Sequence, residues 1–165
     1  MTVRVLTASL ALGAVVTAAF GRPTVCVSVD PMGITAGGSA PAVSADGRYV
    51  AFGSYSDELV PNDTNFRFDV FVRDRYLGTT TRVSVATGGQ QSHESFFPSG
   101  RVVAISADGR IVAFESTAPD LVANDTNNAG DIFLHERQPP PTCRLSVSTG
   151  RAQWQAYSTS PAISA

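Results

Sequence analysis

The chain repeats itself at a constant offset, and this internal repeat constrains its fold more than any other feature of the sequence. The stretch SADGRYVAF at 44–52 recurs as SADGRIVAF at 106–114. Two further pairs of segments share the same offset: 57–75 with 119–137, and 80–88 with 142–150. Such a repeat predicts a propeller, a solenoid or an array, because one unit buries its apolar faces only against its neighbours.

Parts of further repeats flank the two complete ones. TVCVSVDPMG at 24–33 resembles the end of a repeat, and PAISA at 161–165 matches the PAVSA that opens the first repeat. We therefore expect complete repeats at about 41–88 and 98–150, with partial units at 24–33 and 159–165. Propellers usually close with about 4 to 8 blades. We expect either a truncated part of a longer protein or a ring completed by oligomerisation.

Each repeat contains four runs that are typical of β-strands. In the first repeat, residues 41–45 and Tyr49–Phe52 flank Asp46-Gly47, a strong signal for a two-residue hairpin turn. The third and fourth runs are 69–73 and 81–85, and the fourth alternates apolar and polar residues like an outer strand wetted on one face. The sequence therefore predicts an all-β fold of propeller blades, each with four antiparallel strands.

Composition excludes several classes of protein. The hydrophobic fraction is 43% and the charged fraction 16%, which indicates a packed chain rather than a disordered one. The net charge is -2 and no basic run stands out, so we expect no nucleic-acid partner. Every basic residue is an arginine. The absence of lysine excludes P-loop nucleotide binding and Schiff-base chemistry.

Residues 1–20 have the features of a secretory signal peptide. Arg4 precedes an uncharged run rich in alanine, leucine and valine that is short for a membrane span and ends in small residues. We therefore expect residues 1–20 to be a signal peptide and residues 21–165 to form a partial β-propeller. The protein is then exported to the periplasm, the medium or the cell surface, with no membrane span after cleavage.

The repeat motifs resemble those of a known family. S-A-D-G-R-x-V-A-F, followed by D-[VI]-F-[VL] and T-x-R-[VL]-S-V, is similar to the TolB-like, WD-repeat-like β-propeller repeat of exported bacterial proteins. The resemblance covers the chain from about Thr24 to Ala165. It implies that the first run of each blade is the innermost strand and the fourth the outermost. On that layout Cys26 and Cys143 lie two blades apart, and we expect both thiols to be unpaired.

The repeated segment NDTN places acidic and amide side chains in the loop before the third strand. The first copy contains Asp63, Asn65 and Asp69, and the second contains Asp125, Asn127 and Asp131. Two carboxylates and an amide oxygen at this spacing, completed by backbone carbonyls and water, match the oxygen ligands of calcium. The same residue types also stabilise turns by hydrogen bonding to the backbone. Both a calcium site and a plain turn fit each loop, and Ca²⁺ is the one cofactor that the sequence indicates.

Catalytic patterns are weak. His93 and His135 occupy unrelated positions in their repeats, and no nucleophile-elbow motif occurs. Ser44 and Ser106 each precede an aspartate by two positions, but we expect both serines in hairpin turns. We therefore expect no catalytic residues in this chain and no enzymatic activity.

Exposed loop residues provide a candidate binding surface. The loops between the second and third strands share one end of the blades with the links from blade to blade, and the predicted surface there comprises His93, Phe96, Phe97, Trp154 and Tyr157. Aromatic side chains on the loops of a rigid scaffold suit a protein or glycan ligand, although the same side chains also pack onto blades.

The sequence thus predicts a non-catalytic, exported β-propeller module that binds or scaffolds, with calcium stabilising it if the NDTN loops hold metal. Its further partners are the remaining blades of a longer chain or other copies of itself. Two alternatives fit as well. In the first, the chain is part of a larger hydrolase or glycosidase whose catalytic residues lie outside it. Asp57, Glu58 and Asp120 are acidic loop residues in this chain, but the sequence does not show the separation that a glycosidase pair needs. In the second, the chain is a gene fragment without function.

Overall fold

The structure is a computed structural model that describes residues 24–93, 103–139, 141–150, 152–153 and 155–164. The predicted signal peptide, residues 1–20, lies outside the described residues. The strands are β1 Ser39–Val43, β2 Tyr49–Ser54, β3 Asp69–Asp74, β4 Thr79–Arg82, β5 Val103–Ile105, β6 Ile111–Ser116, β7 Asp131–Glu136 and β8 Thr142–Arg144. Within these ranges no helix has the length and hydropathy that a bilayer crossing requires.

The eight strands form two separate antiparallel sheets, each in simple sequential order. The first blade has the order β1-β2-β3-β4 and the second has β5-β6-β7-β8. Together they form an open arrangement of two four-stranded sheets rather than a closed ring. The predicted all-β fold of four-stranded propeller-type blades is therefore confirmed.

The predicted Asp-Gly hairpins are also confirmed. Gly47 has a φ of +70°, a conformation that glycine adopts without steric cost. The Ser44 hydroxyl donates to Asp46 Oδ1 at 2.6 Å and accepts the Tyr49 N–H at 3.0 Å. The equivalent residues of the second repeat make the same contacts. These serines are turn residues whose hydroxyls are engaged in closing the hairpin.

The predicted outer strand is wrong in its bounds. The sequence indicated 81–85, whereas β4 spans Thr79–Arg82. The ladder ends there because the N–H of Val70 donates to Ser84 Oγ at 3.0 Å rather than to a backbone carbonyl. Residues 83 to 85 are all buried, so the predicted alternation between core and solvent does not extend through them. The first strand is also shifted, to Ser39–Val43, since Ser44 belongs to the turn.

The first blade is apolar on both faces of its inner strands. Val70 and Val72 join an apolar cluster that continues into the second blade and includes Phe133. Phe71 lies between them in β3 and, because side chains alternate along a strand, points to the opposite face. There its ring centroid lies 5.9 Å from that of Phe52. A blade of this kind is stable only when both faces are covered.

Hydrogen bonds join the two blades at both ends of the apolar cluster. Strand β5 contacts β1 and β2, and the Ala45 N–H donates to the Ala107 carbonyl at 2.9 Å. Near the outer strands, the Thr142 N–H donates to Thr87 Oγ1 at 3.1 Å, and the Thr142 hydroxyl donates to the Val85 carbonyl. The two blades therefore pack as one unit.

At one pair of neighbouring positions, the small and the large residue trade places between the two blades. In the first blade the Phe68 ring covers Gly53, so closely that a Cβ at position 53 would overlap the ring. In the second blade the equivalent positions hold Gly130 and Glu115. The Glu115 side chain is 1% exposed, and neither carboxylate oxygen has a hydrogen-bond partner among the described residues. Burial accordingly raises the pKa of Glu115.

We expect Gly53→Ala to destabilise the protein by about 1–3 kcal/mol, because the added methyl group meets a buried ring that Tyr55 holds edge-on at 4.9 Å. Urea unfolding measures the loss. Gly37→Ala is the matched control, since a Cβ at position 37 meets no atom within 4 Å. Equal midpoints for the two variants would contradict the overlap.

Candidate functional site

The two NDTN loops fold into equivalent clusters, here called the loop sites. Loop site 1 comprises Asp63, Asn65, Asp69, Arg82, Ser84 and Gln91, and loop site 2 comprises Asp125, Asn127, Asp131, Arg144, Ser146 and Gln153. The structure thus brings together the three residues that the sequence predicted for each loop. It adds three more from the end of the blade and from the link that follows.

In each loop site the second aspartate is enclosed by hydrogen-bond donors. In loop site 1, Asp69 Oδ1 accepts the Ser84 hydroxyl at 2.5 Å and Oδ2 accepts the Asn65 amide at 2.9 Å. In loop site 2, Asp131 Oδ1 accepts the Ser146 hydroxyl, and Oδ2 accepts the Asn127 amide at 3.0 Å. Both carboxylates are completely buried.

The asparagines orient their amides in a way that bears on metal binding. Asn65 directs its Nδ2 group at Asp69, while its Oδ1 accepts the N–H of Arg67 at 3.0 Å. Asn127 uses its Oδ1 in the same way, for the N–H of Ala129 at 3.2 Å. The amide oxygens therefore close turns, as the turn interpretation predicts.

An arginine from the end of the outer strand supplies positive charge to each loop site. Arg82 Nη1 lies 2.9 Å from Asp63 Oδ1, and both side chains are almost fully buried. In loop site 2, Arg144 Nη1 lies 2.8 Å from Asp125 Oδ1 and 3.5 Å from Asp131 Oδ2. A guanidinium thus stands between the carboxylates of the second loop.

Burial disfavours the charged form of two of these carboxylates. It raises the pKa of Asp69, against the opposing hydrogen bonds from Ser84 and Asn65. It also raises the pKa of Asp125, against the attraction of the Arg144 guanidinium. A buried carboxylate stays charged only with such partners, so the arginine and the hydrogen-bond donors are required by the fold.

A glutamine from the following link fastens each loop. The Gln91 amide donates to Asp63 Oδ1 at 2.8 Å, and its oxygen accepts the Thr64 N–H at 3.3 Å. Gln153 accepts the Thr126 N–H at 3.2 Å in the same way. The loop sites therefore connect three segments of each repeat: the loop, the outer strand and the link to the next blade.

The contacts of the loop sites bear on the calcium prediction. Among the residues that the structure describes, no group of three or more His, Cys, Asp and Glu side chains is arranged to hold a metal ion. The carboxylate oxygens already accept hydrogen bonds or face arginine, and the amide oxygens face backbone N–H groups. This donor set favours the turn interpretation, and calcium binding stays a prediction.

Sequence reasoning missed the arginine, serine and glutamine of each loop site. Their signal was present, because Arg82, Ser84 and Gln91 recur in the second repeat at the same offset as the two aspartates and the asparagine. An arginine at a constant sequence separation from an acidic loop does not by itself indicate a buried ion pair. That conclusion requires the fold, which places the two segments side by side.

The predicted loop surface is described only in part. Phe96, Phe97 and Trp154 lie outside the described residues. The side chains of His93 and Tyr157 are exposed, and His93 Nδ1 lies 3.3 Å from Asp120 Oδ2. Partial burial tends to raise the pKa of Asp120, but hydrogen bonds from Ser92 and His93 outweigh it, so this pKa is lowered.

Both cysteines are unpaired, as predicted, and both are exposed. Neither contributes to the loop sites.

Comparison with known proteins gives matches in structure but not in sequence. No family model and no curated protein matches the chain. The solved structures that resemble it include TolB from Acinetobacter baumannii (17% identity, TM-score 0.38, 68% of this chain) and a putative TolB from Agrobacterium tumefaciens (18%, 0.43, 68%). The tricorn protease matches over 67% of this chain, with 16% identity and a TM-score of 0.40.

The matches cover only a small part of these larger proteins. This chain spans 22% of the first TolB, 31% of the second and 9% of the tricorn protease. Two of the three are TolB structures, and the repeat motifs were predicted to resemble that family. Because the identities and TM-scores are low, the fold assignment rests on the two four-stranded sheets themselves.

We expect Arg144→Ala to lower the free energy of unfolding by about 3–5 kcal/mol, because it leaves the buried Asp125 and Asp131 carboxylates without a compensating cation. Chemical denaturation measures the loss. Arg67→Ala is the control, since Arg67 is exposed on the equivalent loop, and we expect a change of about 0.5 kcal/mol or less. Similar losses in the two variants would refute the buried ion pair.

The calcium prediction has its own test. If arginine supplies the positive charge of the loop sites, the Tm of the protein is the same in millimolar calcium as in chelator. A ligand that binds only the folded state raises Tm. A higher Tm in calcium that Asp125→Ala and Asp131→Ala abolish would establish a metal site instead.

Proposed function

We propose that this chain is a non-catalytic β-propeller segment of an exported protein, and that it acts by binding or scaffolding other protein elements. Its exposed sheet face accepts another four-stranded blade, which comes from a longer polypeptide or from a second copy. The loop end of the blades is the surface for a protein or glycan ligand. Calcium stabilisation of the loop sites is a separate prediction on which this function does not depend.

The observation that carries the proposal is the difference in burial between equivalent positions of the two blades. Val83 in the first blade is 1% exposed because the second blade covers it, whereas its counterpart Leu145 is 49% exposed. Val72 is likewise buried, while its counterpart Leu134 is only partly so. The second blade thus leaves more apolar surface exposed on the face that the first blade uses for packing, above all at Leu145.

Further features support a binding role over catalysis. The serine and aspartate of each hairpin are engaged with each other and with backbone groups in turns. His135 is buried in β7 with Nδ1 2.9 Å from the Thr142 hydroxyl, while His93 lies on an exposed loop. No nucleophile–base pair of the kind that hydrolases use is formed by these groups.

Export is supported by the sequence of residues 1–20, which precede the described part of the chain. The loop surface is supported by the exposure of Tyr157 and His93 at the blade ends. An amphipathic ring such as that of tyrosine supplies contact area to a protein or a sugar at low entropic cost.

We expect the chain to associate through the open face of the second blade, or to bind an apolar dye there, and Leu145→Asp to reduce either behaviour. Light scattering after size exclusion, together with dye fluorescence, measures both. Phe66→Asp is the control, because Phe66 is 76% exposed but lies on a loop of the first blade.

The two positive outcomes identify the source of the neighbouring blade. A discrete oligomer means that a second copy covers the face, and a dye-binding monomer means that a longer polypeptide supplies it. A monomer that binds no dye would show that the face needs no partner, and the proposal would be abandoned.

A further inference from the structure

A cavity lies between the two blades, near their outer strands. Its volume is about 320 Å³, at the lower end of the range for small-molecule sites, about 300–1,000 Å³. One wall is apolar, formed by Val83, Val85 and the ring of Tyr49, while Arg110 and His135 are among its polar lining residues. The cavity borders loop site 1 at Arg82, which also lines it, and it is separate from the open face of the second blade.

The cavity lies beside a position where the second repeat has a shorter side chain than the first. In the first blade Arg73 Nη1 donates to Thr80 Oγ1 at 3.0 Å. In the second blade the equivalent residue is His135, whose Nδ1 lies 2.9 Å from the hydroxyl of the equivalent Thr142. The threonine contact is therefore kept, but the imidazole reaches less far than an arginine and leaves space beside it.

A second difference leaves an arginine of the second blade without the ion pair that its counterpart forms in the first. In the first blade Arg48 is held by Asp74, with Nη2 2.7 Å from Oδ2 and Nε 3.1 Å from both oxygens. This pairing lowers the pKa of Asp74 to about 2. The equivalent Arg110 has Glu136 in place of the aspartate and forms no ion pair with any described residue.

A third difference removes an aromatic partner of that arginine. The Arg48 guanidinium lies 5.4 Å from the centre of the Tyr76 ring, whereas the residue equivalent to Tyr76 is Gln138. Arg110 thus lacks both partners that hold its counterpart in place. An exposed guanidinium at a half-apolar cavity provides a fork-shaped donor for an anion.

Another wall of the cavity is formed by Arg137, whose main contact occurs in both repeats. Arg137 Nη1 donates to the Gly109 carbonyl at 2.8 Å, as Arg75 does to Gly47 at 2.7 Å. The Arg137 guanidinium also lies 4.2 Å from the centre of the Tyr49 ring. These contacts engage Arg137, and Arg82, the third arginine of the lining, pairs with Asp63, so Arg110 is the least engaged of the three.

One carboxylate, that of Asp108, and three guanidinium groups, those of Arg82, Arg110 and Arg137, line the cavity, so its net charge is positive. Asp108 is engaged in the hairpin turn, where hydrogen bonds from Ser106 and the N–H of Arg110, together with the charge of Arg110, lower its pKa; it is ionised near pH 7 and offsets part of the positive charge. Burial and the nearby Arg137 lower the pKa of His135 to about 4, so its imidazole is neutral near pH 7. A neutral imidazole adds hydrogen-bonding capacity without favouring or repelling charge.

We infer that this cavity binds a small organic carboxylate, with its apolar body against Val83, Val85 and Tyr49 and its carboxylate paired with Arg110. The half-apolar lining favours a carboxylate with an organic body over inorganic phosphate, and the arginines disfavour a cation. The site lies within the two blades of this chain. It therefore needs no further blade to be complete, and it is independent of the proposed scaffolding role.

Three aromatic probes of the same shape test the charge preference. Benzoate carries the carboxylate, benzamide is its neutral analogue, and benzamidine carries a positive charge. We expect a saturable response to benzoate in the NMR signals of Val83, Val85 and Tyr49. Benzamide should bind about tenfold more weakly or worse, since it loses a charge-assisted hydrogen bond, and benzamidine should not bind.

Two variants test the position of the site. His135→Arg rebuilds the arrangement of the first blade and fills the cavity, so benzoate binding should be lost while the fold and Tm are retained. Arg110→Gln removes the exposed cation and should weaken benzoate about tenfold or more without affecting benzamide. Arg67→Gln, an exposed arginine outside the cavity, is the matched control and should bind benzoate like the parent.

The inference would be overturned by any of three results. These are the absence of a saturable response to benzoate, equal affinity for benzoate and benzamide, or unchanged benzoate binding in Arg110→Gln. Because Arg110 is exposed and forms no ion pair with the described residues, that variant keeps its fold even if His135→Arg does not.

Discussion

The inner strands of each blade are apolar on both sides, and the rest of the structure depends on covering them. In the first blade, Val70 and Val72 face the second blade while Phe71 faces the opposite way. A two-sided apolar sheet is stable only within a stack, so contact between neighbours is a condition of folding rather than an addition to it. Val83 is buried because the second blade covers it. Its counterpart Leu145 is exposed because no further blade among the described residues packs on the second.

Electrostatics are organised around the same stack. Each blade places an arginine from its outer strand, Arg82 or Arg144, against acidic residues of the loop before the third strand. The pair is buried, so its net contribution to stability is small, but loss of one member leaves an uncompensated charge. The arginine also links the outer strand to the loop. The conformation of each loop therefore depends on the position of the outer strand, and so does any ligand surface that the loops form.

Sequence alone predicted much of the fold, because the repeat, the Asp-Gly turns and the four strand-like runs are local patterns. It failed at the outer strand, where the Ser84 side chain replaces a backbone hydrogen bond that no local pattern reveals. It identified the trio Asp63, Asn65 and Asp69 but not Arg82, since that partner becomes a neighbour only after folding. The inter-blade cavity was not predictable, because it depends on the packing of two repeats.

Similar repeats carry a risk during folding, since a strand or blade can associate with the wrong copy. The exchange of Gly53 and Phe68 for Glu115 and Gly130 gives the two blades chemically different faces at the same place. The first blade buries an aromatic ring at this place and the second buries a carboxyl group. A strand of one blade therefore does not substitute for its counterpart in the other without placing a ring or a carboxyl group in an interior built for a different side chain.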